Sequence, residues 1–182
     1  MAANQKIHSL KLPEFDRPPS MLIVAAPYYR EIADQLIAGA EEAVSAVGGR
    51  SELVEVPGAL EIPTAIGLAS GAGQYDGFVA LGCIIRGETT HYETVCNDSS
   101  RGLMLLGLDG VCVGNGILTV ETIEQAQERA RVDGFNKGGG AAEAALHLVA
   151  LKRRFAKRPA VEQPPGDTFR VAGEAGPGDI SR

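Results

Sequence analysis

The feature that most constrains the fold is an uninterrupted apolar run at residues 78–85, which ends abruptly in a polar segment from Arg86 to His91. A strand without a polar face is buried on both sides, which is typical of parallel sheets covered by helices. In open sheets of this kind, ligands bind outside the carboxyl ends of the strands. The run therefore predicts a central parallel strand that delivers polar groups to a site for a small polar or anionic ligand.

Strand-like and helix-like segments alternate along the body of the chain, residues 20–158. Connections of helical length require successive strands to pair in parallel. We therefore predict an α/β fold, a three-layer αβα sandwich around a four-stranded parallel, flavodoxin-like sheet. The predicted strands are 21–26, 52–56, 78–85 and 111–114, and the predicted helices are about 29–47, a short helix after residue 61, 91–108, 122–131 and 139–155.

The two ends of the chain differ from this body in composition. Residues 1–19 are polar and punctuated by prolines, which predicts an N-terminal arm able to add a strand to a neighbouring subunit. Residues 159–182 combine prolines and glycines with few large apolar side chains, which predicts a disordered C-terminal tail. A basic cluster at 152–158 ends the last helix and is predicted to be solvated there.

The overall composition excludes several classes of function. The formal charge of −6 argues against a nucleic-acid partner, because phosphate backbones require clustered cations. The three cysteines form no Cys-x-x-Cys pair, which fits a reducing compartment. No apolar run is long enough to span a bilayer, and the N-terminus lacks a signal-peptide pattern. We expect a single cytoplasmic domain without a membrane or nucleic-acid partner.

Three predicted strand-to-helix junctions, 56–61, 86–91 and 114–119, carry unusual residues and are expected to converge on one crevice. A fourth candidate is the segment 27–29 after the first strand, where an aromatic ring such as that of Tyr28 offers a flat face to a planar ligand. His91 is the candidate for proton transfer near neutral pH. The sequence has no His or Cys pair at metal-ligand spacing beside a carboxylate, and no phosphate loop of nucleoside-triphosphate enzymes. We therefore expect no metal site.

Two features fit more than one role. The glycines at 138–140 open a helix whose amides could hold an anion, or they allow a tight turn between helices. Glu61 is either a hydrogen-bond acceptor for a ligand or an acid of the kind favoured at helix starts. The sequence pattern fits both alternatives in each case.

Four segments in chain order, 56–63, 81–97, 114–130 and 136–138, together resemble lumazine synthase, and the likeness covers about residues 20–155. The resemblance implies the condensation of 5-amino-6-(D-ribitylamino)uracil with 3,4-dihydroxy-2-butanone 4-phosphate to 6,7-dimethyl-8-ribityllumazine, with release of phosphate. This is the penultimate step of riboflavin biosynthesis. The resemblance implies neither a cofactor nor a metal.

The same resemblance implies roles for individual residues, with His91 as the proton-transfer residue. The implied contacts of the ribitylaminouracil are Tyr28 (by stacking), Ala59, Leu60, Glu61, Cys83, Ile84, Ile85 and Asn115. Those of the butanone phosphate are Glu88, Thr89 and Arg129, with Lys137 as a further candidate. Asn115 is implied to come from the adjacent subunit. His91 and Arg129 are expected to face one bound molecule from the same protomer.

The family forms homopentamers with active sites between subunits, and in some members twelve pentamers form an icosahedral shell. The stretch 131–135 lacks the Gly-x-Lys pattern of many shell-forming members, so we expect a free pentamer, with riboflavin synthase as an implied partner. Leu60, Glu88 and Asn115 depart from commoner residues, and stacking on the Asn115 side is expected to be weaker. The alternative functions are a non-catalytic flavin- or lumazine-binding protein and a shell-forming protein.

Overall fold

The computed structural model describes residues 10–157, in which four strands alternate with five helices. The strands are β1 (Ser20–Ala25), β2 (Arg50–Glu55), β3 (Gly77–Ile85) and β4 (Val113–Val120). The helices are α1 (Arg30–Ala46), α2 (Glu61–Gly71), α3 (His91–Leu108), α4 (Ile123–Ala130) and α5 (Lys137–Ala156). The predicted tail at 159–182 and residues 1–9 of the predicted arm lie outside the described residues.

The four strands form one parallel sheet in the order β2-β1-β3-β4. The predicted α/β architecture with a flavodoxin-like sheet is confirmed. Because all strands are parallel, their carboxyl ends lie at the same edge of the sheet. Within the sheet, β2 pairs with one edge of β1, and β3 pairs with the opposite edge of β1. The direction in which successive strands are added therefore reverses between β1 and β3, and such a reversal leaves a crevice at the strand ends.

Helices cover both faces of the sheet, with α1, α4 and α5 on one face and α2 and α3 on the other. Val79 and Leu81 of β3 belong to the first apolar core, and Phe78 and Ala80 belong to the second. The continuous apolar run of β3 therefore follows from burial on both faces. No helix within residues 10–157 has the length and apolar character required to cross a membrane.

The fourth strand differs from its prediction. The predicted strand at 111–114 and the junction after it are wrong, because β4 pairs with β3 from Val113 to Val120 and alternates between buried and exposed residues. Glycine inside a strand usually marks its weak point. In β4, however, a Cβ on Gly114 would lie 2.8 Å from the backbone carbonyl carbon of Ala141, so the glycine allows α5 to pack on the strand backbone.

The glycines that begin α5 serve the same kind of close packing. A Cβ on Gly138 would lie 2.7 Å from two backbone carbons of Leu36 in α1. The amide of Gly139 donates to Oδ1 of Asn136 at 3.0 Å, and Asn136 caps the helix with a left-handed φ of 44°. These contacts support the tight interhelical turn over an anion site, because Leu36 and the Asn136 side chain fill the space at this helix start.

The basic cluster at the end of α5 is not simply solvated, which corrects the prediction. Arg153 donates to the carbonyl oxygen of Arg17 at 2.6 Å and to the Asp76 carboxylate at 2.8 Å. Lys157 forms an ion pair with Asp16 at 2.6 Å. The segment before β1 brings a carboxylate and a free carbonyl to the helix end, so these cations tie that segment to α5. Strand addition by the arm to a neighbouring subunit stays a prediction.

Candidate active site

A cavity of about 450 Å³ opens at the carboxyl edge of the sheet, beyond the ends of β1, β2 and β3. We call it the His91 cavity, after the residue at the start of α3 that lines it. Residues that follow the three strands form most of its wall. Of the predicted site residues, those that line it are Tyr28, Ala59, Leu60, Glu61, Cys83, Ile84, Ile85 and His91.

The topology of the sheet brings these distant segments together. Sheet pairing continues one residue beyond the strands, since the amide of Ala26 donates to the carbonyl of Leu81 and the amide of Val56 donates to the carbonyl of Ala25, each at 2.9 Å. After β1 the chain enters α1 on one face of the sheet, and after β3 it enters α3 on the other. This divergence leaves a crevice at the strand ends.

The turn after β2 places Glu61 in the cavity wall. Glu61 begins α2, and a Cβ on Gly58 would lie 2.9 Å from its Oε2 atom, so Gly58 leaves room for the carboxylate to fold over the turn. Glu61 is an acid in the first turn of a helix, and it also lines the cavity. The structure is therefore compatible with both roles, and binding of a ligand by Glu61 stays a prediction.

Two tyrosines form the wall after β1. Tyr28 is 77% exposed and contacts Tyr29 edge-on, with 5.1 Å between the ring centroids. An exposed ring in a cavity wall leaves a face free for stacking. Tyr29 also lines the cavity, and burial raises the pKa of its hydroxyl, so it is a neutral phenol at physiological pH. The predicted segment 27–29 thus contributes Tyr29 as well as Tyr28 to the cavity wall.

The cavity contains one thiol and one imidazole. Burial raises the pKa of Cys83 to about 11, so its sulfur is a protonated thiol near neutral pH and a weak nucleophile. His91 is exposed at the first position of α3. Imidazoles as a class exchange protons in the physiological range. His91 and Glu61 both line this cavity, and proton transfer by His91 stays a prediction.

The turn between β3 and α3 is open to solvent. Glu88 and Thr89 are exposed in it, and neither is among the residues lining the His91 cavity. The N-cap Thr90 makes no side-chain cap hydrogen bond, and the amide of His91 lies 3.4 Å from the Thr89 hydroxyl. A Cβ on Gly87 would meet nothing within 4 Å. Amides at such a helix start can approach an anionic group.

The remaining predicted residues, Asn115, Arg129 and Lys137, line a different cavity of about 440 Å³ between β4, α4 and α5. We call it the Arg129 cavity. Nη1 of Arg129 donates to the carbonyl of Gln125 at 3.0 Å. Within residues 10–157, neither Arg129 nor Lys137 forms an ion pair. Both cations therefore face their cavity without a carboxylate partner from the described part of the chain.

This separation concerns two expectations about convergence. His91 and Arg129 of one chain line different cavities, so the expectation that one protomer presents both to a bound molecule is not confirmed. The segment 114–119 does not join the crevice of the other two junctions, because β4 continues through it to Val120.

Residues 10–157 contain no group of three or more His, Cys, Asp or Glu side chains placed to hold a metal ion.

An apolar cavity between α3 and α5 was not anticipated from the sequence. Its volume is about 710 Å³, and Leu103 and Leu151 are among its lining residues. Met104 is 64% exposed and Leu108 is 77% exposed at its edge. Monomeric proteins rarely expose contiguous apolar surface of this kind. The face is thus available for contact with another protein surface.

Known proteins are similar to this sequence over most of its length. Residues 19–153 match the family described as 6,7-dimethyl-8-ribityllumazine synthase. A relative of that name from Jannaschia sp. (strain CCS1) is 51% identical over 171 residues, which are 93% of this chain and 96% of the relative. Relatives of the same name from Methylorubrum populi and Sphingopyxis alaskensis are 56% and 53% identical over 146 and 135 residues, or 77% and 74% of this chain and 86% and 96% of theirs. The chain therefore belongs to the 6,7-dimethyl-8-ribityllumazine synthase family.

Proposed function

We infer that this chain catalyses the condensation of 5-amino-6-(D-ribitylamino)uracil with 3,4-dihydroxy-2-butanone 4-phosphate to 6,7-dimethyl-8-ribityllumazine, a step of riboflavin biosynthesis. The observation that most supports this function is the His91 cavity. In it, three segments far apart in sequence bring an aromatic ring and an imidazole to the carboxyl edge of the sheet. Membership of the family supports the same reaction. The protein is accordingly a transferase.

The ribitylaminouracil fits the His91 cavity by shape and polarity. Its flat pyrimidine ring stacks on the exposed face of Tyr28. The ribityl chain carries hydroxyl groups, which donate hydrogen bonds to the carboxylate of Glu61. Ala59 and Leu60 supply an apolar surface in the same turn, and backbone groups at Cys83, Ile84 and Ile85 pair with the edges of the ring. These roles are our proposal for the seven predicted residues that line the cavity besides His91.

His91 moves the protons that the condensation requires. The primary amine of the pyrimidine attacks the ketone carbon, a proton passes from nitrogen to oxygen, and water leaves to form a Schiff base. A carbon-bound proton is then removed as the carbon–oxygen bond to phosphate breaks. The enol that results takes up a proton on its terminal carbon and becomes a ketone. The ribitylamino nitrogen then attacks this ketone carbon and closes the second ring with loss of another water. Each step is a proton transfer, addition or elimination, and a positioned base accelerates such steps about 100-fold or more.

The phosphate is bound where the open turn at Glu88 and Thr89 meets cations from an adjacent subunit. Arg129 and Lys137 face the Arg129 cavity without carboxylate partners in the described chain, and Asn115 lines the same cavity. A guanidinium matches a phosphate through two parallel hydrogen bonds and eases its departure as an anion. The resemblance implies that Asn115 comes from the adjacent subunit, and we propose the same origin for Arg129 and Lys137. The active site is then a composite of residues from two subunits. All three then come from the neighbouring subunit and complete the His91 cavity.

A composite site requires a homo-oligomer, and we propose a free pentamer. The exposed apolar side chains of α3 and α5, such as Met104 and Leu108, supply a surface that assembly would cover. The sequence at 131–135 supports a pentamer rather than a closed shell. We further propose a cytoplasmic location, riboflavin synthase as a partner, and residues 20–158 as the catalytic unit, preceded by an arm and followed by a C-terminal tail.

The test combines activity with assembly. Purified protein is mixed with both substrates, the fluorescence of the lumazine product is followed, and the same sample is sedimented. We expect product formation well above the uncatalysed rate and a species of five chains. His91→Gln is expected to lower kcat about 100-fold while leaving sedimentation unchanged. Wild-type protein that assembles yet gives no rate above background would refute the enzymatic function, and tight riboflavin binding without turnover would indicate a storage protein.

A further inference from the structure

Arg86 forms a charged bridge beside the turn that carries His91. Its amide donates to the carbonyl of Val120 at 3.0 Å, which extends the pairing of β3 with β4 by one residue. Its side chain pairs with Glu93 in the first turn of α3 and, at 2.8 Å between Nε and Oε2, with Glu121 after β4. Its guanidinium carbon also lies 4.2 Å from the ring centroid of Tyr92.

The turn itself offers little to hold His91 in place. Residues 86–91 are exposed, the N-cap Thr90 makes no side-chain cap hydrogen bond, and Gly87 has open space where a Cβ would be. A side chain at the first position of a helix moves with that first turn. The direction of the His91 imidazole therefore depends on what fastens the start of α3 to the sheet.

The Arg86 bridge holds the start of α3 at this point, in addition to the packing of Tyr92 and Val95 against the apolar core. Tyr92 and Glu93 directly follow His91, and Arg86 contacts both while its own backbone is paired with β4. The two carboxylates hold the pKa of the Arg86 guanidinium above its ordinary range, and Arg86 holds the pKa of Glu93 below its own. Without Arg86, Glu93 and Glu121 would be two uncompensated negative charges beside the turn.

We propose that Arg86 is a positioning residue, which holds the first turn of α3 through Glu93 and Tyr92 so that the His91 imidazole points into the cavity. Arg86 does not touch substrate, and its effect on the reaction passes through His91. This inference rests on the proposed function of the His91 cavity. A misplacement of a reacting group by about 1 Å can lower a rate on the order of 100-fold, so loss of the bridge should appear in kcat.

The main test replaces Arg86 by glutamine in the full-length protein and compares steady-state kinetics with the wild type. Arg86→Gln is expected to lower kcat on the order of 10- to 100-fold, with both KM values changed by less than about threefold. Arg86→Lys is expected to recover only part of the loss, because an ammonium cannot fork between two carboxylates or stack on Tyr92 in the same way. Arg101→Gln is the matched control, because Arg101 is also in α3, its side chain is 76% exposed and it forms an ion pair with Asp98 of the same helix at 3.3 Å.

The folded fraction is measured separately, because a smaller folded fraction also lowers the apparent kcat at constant KM. Urea unfolding and sedimentation under the assay conditions give this fraction, and kcat is then expressed per folded protomer. Positioning predicts that the loss of kcat remains after this correction, whereas a general loss of folded enzyme predicts that it disappears.

The possible results are distinct. A kcat per folded protomer that is unchanged in Arg86→Gln would overturn the positioning role, as would a large rise in the KM of the phosphate substrate at constant kcat, which would indicate direct binding. If Arg86→Gln does not fold, Glu93→Gln tests the same link, because it removes the ion pair with α3 while Arg86 stays paired with Glu121 and beside Tyr92. Wild-type kcat in that variant would overturn the proposal. An inactive wild type would instead refute the proposed function itself.

Discussion

Replacing Gly138 by alanine should destabilise the protein through a clash between two helices. The new Cβ would lie 2.7 Å from both Cα and C of Leu36 and closer still to its carbonyl oxygen. Carbon atoms in favourable contact are about 3.5 Å apart or more, so α5 would have to move away from α1 by roughly 0.8 Å. Because the contacted atoms are backbone atoms, no side-chain rotation relieves the overlap.

The expected cost is about 1–3 kcal/mol or somewhat more, the range measured for overpacked cores. A preference of helices for alanine over glycine acts in the opposite direction by about 0.5–1 kcal/mol. A total stability of about 5–15 kcal/mol makes the net loss easy to measure. Gly140→Ala is the matched control, since it lies in the same helix and its Cβ would meet nothing within 4 Å.

The assay is urea unfolding of both variants and the wild type at one protomer concentration, because assembly makes stability depend on concentration. Gly138→Ala should have a lower midpoint at an unchanged slope, whereas Gly140→Ala should match or exceed the wild type. Equal midpoints for the two variants would refute the reasoning, because they would show that close approach of α1 and α5 does not require glycine at position 138.

Three further outcomes are expected. Arg129→Ala should raise the KM for the butanone phosphate about 10- to 100-fold, the value of a charged bidentate hydrogen bond, and an unchanged KM would contradict a phosphate role. Cys83 should resist iodoacetamide at pH 7 and react as pH approaches 11, because burial raises its pKa to about 11; mass spectrometry showing rapid labelling at pH 7 would contradict this. Burial acts to raise the pKa of Asp76, but hydrogen bonds from the Ser20 amide and Arg153 outweigh burial and hold this pKa below its ordinary range. The Asp76 carboxylate therefore stabilises the fold above about pH 4, and this stabilisation is lost as pH falls through the pKa of the folded state. Asp76→Asn should therefore lower the urea midpoint at pH 7, and the difference from wild type should shrink towards pH 3; a difference that does not change with pH would argue against this carboxylate.

Local patterns were sufficient for most of the architecture. A parallel sheet was predicted from the apolar run of β3 and from the helical length of the connections. The polar residues that follow β3 predicted a site at the carboxyl edge of this sheet, and His91 does line a cavity there. These features depend on periodicity and burial, which each segment carries in its own composition. The residues at Tyr28 and Glu61 could be placed beside His91 because parallel strands end at one edge.

The sequence did not indicate which glycines serve packing and which serve turns. Gly114 suggested the end of a strand and Gly138 a turn or an anion site, yet both are positions where α5 meets another backbone. A glycine has no side chain, so its neighbours are set by distant segments and leave no local trace. The hydrogen bonds of Arg153 with Arg17 and Asp76 were also missed, because these two partners lie far from Arg153 in the sequence.

The amino-acid sequence by itself determined the order of strands and helices, the family, and the kinds of side chain that a phosphate and a flat heterocycle require. Only the tertiary structure decided how those side chains are divided between two cavities, with His91 in one and Arg129 in the other. The physical reason is that a chemical group follows from residue identity, whereas its direction follows from how helices pack on the sheet. Arg86 illustrates the difference, because its charge is evident in the sequence but its bridge from β4 to the start of α3 exists only in the folded chain.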